Sequence, residues 1–395
     1  MRILIVDDNP MNVTVVQEML KRAGYWDARS ASSGIELFRL LGLTDEGLEQ
    51  GSGSQPEPDY DLILLDMMMP RVDGISACMA IQQSDRLRDI PIIMVTAIGD
   101  SKKLAEALDA GAIDYVTKPI NKIELLARIR VALRLKEEKD WHKERDRRLR
   151  EELQLARGVQ AAAMPNPVDE PHVSIGSIYC PSEVLAGDLY AWHRIDEDRY
   201  GVAVIDAMGH GISSSLVCMF IASVLKEAMV QLVDPKRVME ELNRRALSLQ
   251  FADQLIQYYY TGIYLVVDVK RGVLEYVNAG HPPGLVMRSD GSAERLAGGC
   301  AAIGMFDQLQ IASHRIALSE GDRVVLVTDG FVDAMDAPEG ERLERLFDKL
   351  TELSRDMPPQ QWTAPLTELA EQSERMDDQC LVWVDIRKTA AHSAT

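Results

Sequence analysis

The chain has 395 residues, 46% of them apolar and 27% charged, and carries a net charge of −19. That length exceeds what one hydrophobic core usually organises, so two or three domains are expected. The acidic balance argues against nucleic acid as a direct partner, because neutralising phosphates requires a basic surface.

The N-terminus runs straight into a strand, Arg2 to Val6, without a charged and apolar leader. From Met1 to about Ala132, short apolar runs at Ile3–Val6, Leu62–Leu65, Ile92–Val95 and Tyr115–Val116 alternate with amphipathic segments. Continuous apolar strands between helices predict an α/β doubly wound domain whose five-stranded parallel sheet is covered on both faces. The polar, Gly-rich stretch from Gly42 to Pro58 reads as a surface loop. From about Asn121 to Met164 there is no Pro, and Arg, Glu, Lys and Leu dominate, which predicts one long helix or two nearly continuous ones. Apolar or small residues at Leu126, Ile129 and Leu133, then at Leu149, Leu153, Ala156 and Ala163, have the spacing of a coiled-coil seam. Lys136 to Arg148 is almost wholly charged apart from Trp141, and the expectation is a homodimer formed through this helix. Pro165 and Pro167 stop it.

From Pro171 onwards, alternating strand patterns at 200–205, 260–269, 274–278, 323–328 and 379–385 surround two helical stretches, Ser213 to Leu232 and Pro235 to Phe251. This predicts an α+β domain with a mostly antiparallel core. The expected divisions are residues 1–122, a helical linker over 123–164, a second domain over 165–388 and a frayed tail over 389–395. The five cysteines, Cys78, Cys180, Cys218, Cys300 and Cys380, are far apart and form no C-x-x-C pair, so they read as packing residues in a reduced compartment. No apolar run approaches a membrane span, and the expected location is the cytoplasm.

Two acidic sets carry the chemistry. In the first domain Asp7 and Asp8 follow the first strand, Asp66 ends the third, Thr96 the fourth and Lys118 the fifth. The carboxyl ends of parallel strands form the ligand crevice of an open sheet, so these side chains should converge. Carboxylates there can hold one magnesium ion, and Lys and Thr can contact the oxygens of an incoming phosphoryl group. Single acidic residues at strand ends are usually caps, but here five residues fall in order. The segment resembles the receiver domain of two-component response regulators, with thirty residues from Asp66 to Thr96 and twenty-two from there to Lys118. The resemblance implies Asp66 as phosphoacceptor, Asp7 and Asp8 as the Mg²⁺-binding pair, the Met68 backbone as a third metal ligand, and Thr96, Tyr115 and Lys118 as switch residues.

In the second domain Gly187-Asp188, Asp206, Asp329-Gly330 and Asp377-Asp378 each lie at the edge of a β-like run. Carboxylates are costly to crowd unless cations neutralise them, which points to hard divalent ions. Gly209 and Gly211 flank His210 in a tight turn after Asp206, so His210 reads as a turn residue before a general acid, and His281 ahead of two prolines likewise. No G-x-S-x-G elbow, C-x5-R loop or H-E-x-x-H competes.

With Asn278-Ala279-Gly280-His281-Pro282-Pro283 and the lead-in Leu155 to Gln160, the set resembles the SpoIIE-like branch of the PPM-type metal-dependent protein phosphatases, over roughly Ala156 to Arg387. The implied fold is a β-sandwich flanked by helices. The implied ligands of two Mn²⁺ or Mg²⁺ ions are Asp188, Asp206, the Ala207 carbonyl, Asp329 and the Asp377-Asp378 pair, with Asp377 favoured. Ala186 and Ala191 stand where the family commonly has Gly and Asp.

The resemblances together imply a response regulator, phosphorylated at Asp66 by a sensor histidine kinase or phosphotransfer protein, whose output dephosphorylates an anti-sigma-factor antagonist. The alternative is a non-enzymatic, phosphorylation-dependent adaptor for a sigma factor or a protease.

Overall fold

The computed structural model describes residues 1–48, 60–97, 101–209, 211–249, 258–362, 364–366 and 377–387, in two compact units, Met1–Leu149 and Arg150–Thr395. The tail from Lys388, His210, the expected helix end at Phe251 and most of the loop up to Pro58 lie outside the described residues.

In the first unit the chain runs β1 (Arg2–Val6), α1 (Pro10–Lys21), β2 (Asp27–Ala31), α2 (Gly34–Leu40), β3 (Leu62–Asp66), α3 (Gly74–Gln83), β4 (Ile92–Ala97), α4 (Ser101–Asp109), β5 (Asp114–Lys118) and α5 (Lys122–Ala163). All five strands are parallel, in the order β2-β1-β3-β4-β5. The pleat divides the apolar runs between two cores. Leu4, Val6, Ile63, Leu65, Ile92 and Met94 face α2 and α3, while Ile3, Ile5, Leu62, Leu64 and Ile93 face α1 and the start of α5. Caps fix where the helices begin: Asn9 accepts from the Met11 amide ahead of α1, and Asp73 from the Ser76 amide ahead of α3.

The first half of α5 corrects the expected seam. Leu125, Ile129, Ala132 and Leu133 are buried against the sheet, and Leu126 packs beside them, so those positions complete the first unit's own core. Each such burial stabilises by roughly 1.5–3 kcal/mol, more than a partner helix at the same residues could add to a face already covered. Further along, Lys139 and Lys143 pair with Asp89, and Arg147 and Arg148 pair with Glu144.

The second unit contains β6 (Val168–Asp169), β7 (Val173–Cys180), β8 (Asp188–Arg194), β9 (Arg199–Ala207), α6 (Ile212–Gln231), α7 (Pro235–Leu247), β10 (Tyr260–Asp268), β11 (Val273–Ala279), β12 (Gly284–Met287), β13 (Ala293–Leu296), β14 (Gly299–Cys300), β15 (His314–Ala317), β16 (Arg323–Val327), α8 (Asp329–Asp333), α9 (Arg342–Asp356) and β17 (Gln379–Ile386). One sheet has the order β14-β11-β10-β9-β8, with β15 beside β11, and the other β13-β12-β16-β17-β7-β6. Side chains of both sheets, among them Val202, Val204, Ile263, Leu265, Val324, Val382 and Val384, fill the space between them. α6 and α7 cover the outer face of the first sheet, and α8 and α9 that of the second. The result is the expected sandwich with helices outside it, and α8 and α9 are helices that the strand-dominated reading of this region passed over.

α6 is, by length and composition, apolar enough to cross a membrane, contrary to the sequence expectation. Half of it is buried, and Cys218, Ile221, Leu225 and Met229 pack on the sheet, so its apolarity is spent on the core.

Candidate functional site

The parallel sheet brings Asp7, Asp8 and Asp66 together, with one oxygen of each lying within 4.8 Å of the others. Asp7 and Asp66 are buried and Asp8 is exposed. Lys118 reaches in from the end of β5, its Nζ 2.9 Å from Asp7 Oδ2 and 3.0 Å from Asp66 Oδ1. Asp7 is also held by the Asn9 amide at 2.9 Å and by Asn12 Nδ2 at 3.0 Å. Burial pushes the Asp66 carboxyl above its ordinary range, the Lys118 hydrogen bond opposes this, and the Asp7 charge adds to it. Three carboxylates against one ammonium leave the pocket net negative, and all the donors are hard oxygens. That set fits a magnesium-like ion.

Thr96 is buried at the pocket's side, and its hydroxyl donates to the Ala97 carbonyl at 3.1 Å. Tyr115 is half-buried, packs on the α2–α3 side of the sheet, and has the Arg128 guanidinium over its ring at 5.5 Å. Neither side chain hydrogen-bonds the carboxylates. Met68 follows Asp66 by two residues with its side chain exposed.

In the second unit Asp188 opens β8 and lies directly across from Asp206 of β9 in the antiparallel register. Side chains opposite one another in such a pair are near neighbours, so two carboxylates there repel. Burial is the main cause of the Asp188 carboxyl standing well above its usual range, Asp206 adds to it, and a hydrogen bond from Thr328 Oγ1 at 2.7 Å opposes it. Asp206 is pushed up to about 8, by burial and then by the charges of Asp329, Asp377 and Asp378. Asp329, the first residue of α8, is raised by burial and by Asp377. No three of these carboxylates converge as tightly as the set around Asp66. The wider spacing, with Asp329, Asp377 and Asp378 raising Asp206 while a hydrogen bond with Asp188 opposes them, fits a pair of divalent ions better than one.

The Asp377-Asp378 pair is divided by its hydrogen bonds. Asp378 is buried, and its carboxylate accepts from the Ser182 amide at 2.7 Å, Ser182 Oγ at 2.9 Å and the Gly187 amide at 2.6 Å. It therefore clamps the loop leading into Asp188. Asp377 is half-buried, and its Oδ1 accepts from the Asp378 amide at 2.8 Å. The Asp377 charge raises Asp206 and Asp329, and the Asp378 charge raises Asp188 and Asp206.

Close backbone approach explains two of the glycines. A Cβ on Gly187 would sit 3.0 Å from the Gly209 carbonyl oxygen and 3.2 Å from that of Ala207. One on Gly330 would collide with the Asp378 carbonyl. Any larger residue would separate the strand ends that carry Asp188, Asp206, Asp329 and Asp377.

His281 is buried and hydrogen-bonded within the fold. Its Nδ1 is 2.9 Å from Thr261 Oγ1, its amide donates to Asn278 Oδ1 at 2.8 Å, and burial lowers its pKa to about 3, weakly opposed by the Val327 backbone. Thr328, Ser182 and Gln160 were not singled out from the sequence, although Thr328 ends one of the strand patterns and Gln160 the lead-in motif given above. A hydroxyl immediately before Asp329 was the available signal for Thr328. Of the cysteines, Cys78, Cys218 and Cys380 are buried, Cys180 and Cys300 are half-buried, and none of the five forms a disulfide.

Comparison with known proteins agrees with this geometry. Residues 3–130 match the response regulator receiver domain, and residues 196–387 match the family Stage II sporulation protein E (SpoIIE). Phosphoserine phosphatase RsbP of Bacillus subtilis is 37% identical over 239 residues, covering 60% of this chain and 58% of that protein. The DNA-binding dual master transcriptional regulator RpaA of Synechocystis is 40% identical over 133 residues, covering 34% of this chain and 49% of that protein. The chain thus spans only about half the length of the curated relatives it matches. The SiaA-PP2C domain of Pseudomonas aeruginosa shares the fold at a TM-score of 0.53 and 24% identity, covering 62% of this chain and 98% of that one.

Proposed function

We propose that this chain, which joins a response-regulator receiver domain to a SpoIIE-type phosphatase domain, is a metal-dependent serine/threonine protein phosphatase governed by phosphorylation of Asp66. The observation that carries the reading is the carboxylate set Asp188, Asp206, Asp329 and Asp377, held at adjoining strand and helix ends, with burial and neighbouring charges raising Asp188, Asp206 and Asp329. With the Ala207 carbonyl, these residues would hold two Mn²⁺ or Mg²⁺ ions. When bound, such ions supply Lewis-acid activation of water for in-line attack on a phosphate ester. Thr328 orients Asp188, Asp378 holds the Ser182–Gly187 loop, and the Asp188–Asp206 register keeps the ligands in place.

At the receiver, Asp7 and Asp8 would bind Mg²⁺, with the Met68 carbonyl as a further ligand, and Lys118 would meet the incoming phosphoryl group from a histidine kinase or phosphotransfer protein. Thr96 and Tyr115 are the switch positions. The substrate we assign is a phosphorylated anti-sigma-factor antagonist in a cytoplasmic partner-switching pathway. RsbP, a phosphoserine phosphatase by name, supports the substrate chemistry. Dimerisation through α5 would use its exposed apolar residues Leu149, Leu155 and Val159, since Ile129 and Leu133 are covered.

The test is Mn²⁺-dependent release of phosphate from a phosphoserine protein by the full chain and by Asp206→Asn. Turnover in the first and none in the second is expected. Equal release by both, or by neither at any Mn²⁺ concentration, contradicts the assignment.

A further inference from the structure

The last turn of α5 carries one buried polar side chain. Gln160 is 4% exposed, while Gly158, Val159, Ala161, Ala162 and Ala163 around it are exposed. Its Nε2 donates to the Ala186 carbonyl at 2.8 Å, and its Oε1 accepts from the Ala186 amide at 3.1 Å. A single side-chain amide thus satisfies both backbone groups of a fully buried residue, as a neighbouring strand would. Glutamate cannot donate there, and an apolar side chain can do neither.

Ala186 is two residues ahead of Asp188. The next residue, Gly187, donates its amide to Asp378 Oδ2 at 2.6 Å and accepts from the Ala207 amide at 3.2 Å. Asp188 itself is fixed by its register with Asp206 and by Thr328. Every residue from Ala186 to Asp188 is therefore held from a different part of the domain. The grip on Ala186 is the one that comes from the linker helix rather than from the sandwich. Both of its hydrogen bonds depend on the rotation and height of the helix end, because such bonds weaken steeply beyond about 3.5 Å or below about 120°.

We propose that Gln160 is a positioning residue through which the end of α5 sets the place of Asp188, and with it the cation affinity of the carboxylate set. This rests on the phosphatase reading above and adds the contact by which the linker acts on that site. Residues that orient metal ligands without touching the ion alter affinity about 10- to 100-fold when removed.

The test uses the full chain and counts bound Mn²⁺ by electron paramagnetic resonance, with Asp206→Asn defining which binding belongs to this site. Gln160→Met keeps the length and apolar stem of the side chain and removes both hydrogen bonds. It is expected to weaken Asp206-dependent Mn²⁺ binding about tenfold. It should raise the Mn²⁺ concentration for half-maximal hydrolysis to match, and leave kcat at saturating Mn²⁺ within about twofold. Unchanged Mn²⁺ affinity, whatever happens to the thermal midpoint of the chelated protein, overturns the proposal and leaves Gln160 a satisfied core polar residue. Should Gln160→Met not fold, Gln160→Glu, which keeps the acceptor and sets a carboxylate against the Ala186 carbonyl, is read by the same two outcomes. Absence of any Asp206-dependent Mn²⁺ binding in the unaltered chain is a different failure, which removes the phosphatase reading itself.

Discussion

In the receiver pocket Lys118 stands between Asp7 and Asp66 at 2.9 and 3.0 Å, whereas among the described residues no lysine or arginine pairs with Asp188, Asp206 or Asp329. The first pocket is charge-compensated in part from within the chain. Among the described residues the second shows hydrogen-bond donors, Thr328 on Asp188 and the Ser182 and Gly187 groups on Asp378. A pocket with its own cation can keep its geometry between turnovers and exchange an ion freely. A pocket without one keeps its acidic groups partly protonated until cations arrive, so its order and its chemistry depend on the same ions.

The largest effect expected from this contrast is at Asp206. Replacing it with Asn should lower phosphoserine-protein hydrolysis by about 10³-fold or more, in the range of losing a principal electrostatic group. Above about pH 8, where Asp206 ionises, the same change should stabilise the chelated second unit, because it removes one charge from a repelling set. We expect a rise in its thermal midpoint of about 3 °C per kcal/mol relieved, read by calorimetry in a chelator. Lower stability of the chelated variant would contradict the picture of uncompensated repulsion.

A pH series sharpens the comparison. The Asp206 carboxyl is raised from 3.8 to about 8 in the fold, so between those values the folded state holds a proton that the unfolded chain has released. Its contribution to stability is fully present below 3.8 and is lost as pH rises through about 8. Chelated wild-type protein should therefore lose stability across this window more steeply than chelated Asp206→Asn, and Mn²⁺ should remove the difference. Parallel pH profiles in chelator would refute it.

Removing the receiver's internal cation is the converse experiment. Lys118→Met leaves Asp7 and Asp66 facing one another in a buried pocket and should destabilise the receiver by about 2 kcal/mol, measured by urea unfolding. Added Mg²⁺ should recover part of that loss, and no loss at all would show that Lys118 does not compensate the pair. Thr328→Val comes last in size. It removes a hydrogen bond to Asp188 and one to the Cys380 amide, and we expect about 1–2 kcal/mol of stability and roughly tenfold in Mn²⁺ affinity, by the same titration used above.

The sequence carried the architecture because both domains are written in strong patterns. Four-residue apolar runs between amphipathic segments fit strands buried on both faces, and the acidic residues at their ends follow the chain direction. Long-range partners were less legible. Gln160 and Ala186 are 26 residues apart, Ser182 and Asp378 are 196 apart, and nothing local in either sequence announces the pairing. The hydrogen bonds that occupy Asp378 distinguish its surroundings from those of Asp377, a difference that two adjacent identical residues do not show in sequence. The seam at Ile129 and Leu133 misled for a simple reason: a three-and-four apolar repeat records that a face is covered, not what covers it.

The central claim is that the first pocket controls the second, and one measurement addresses it directly. Mn²⁺-dependent hydrolysis of a phosphoserine protein by the full chain is compared with and without a small-molecule phosphodonor, with the extent of Asp66 phosphorylation measured in the same samples and Asp66→Ala as control. The account predicts that turnover changes with the phosphorylated fraction and that the Asp66→Ala chain does not respond. Identical turnover, with Asp66 shown to be phosphorylated, would contradict it.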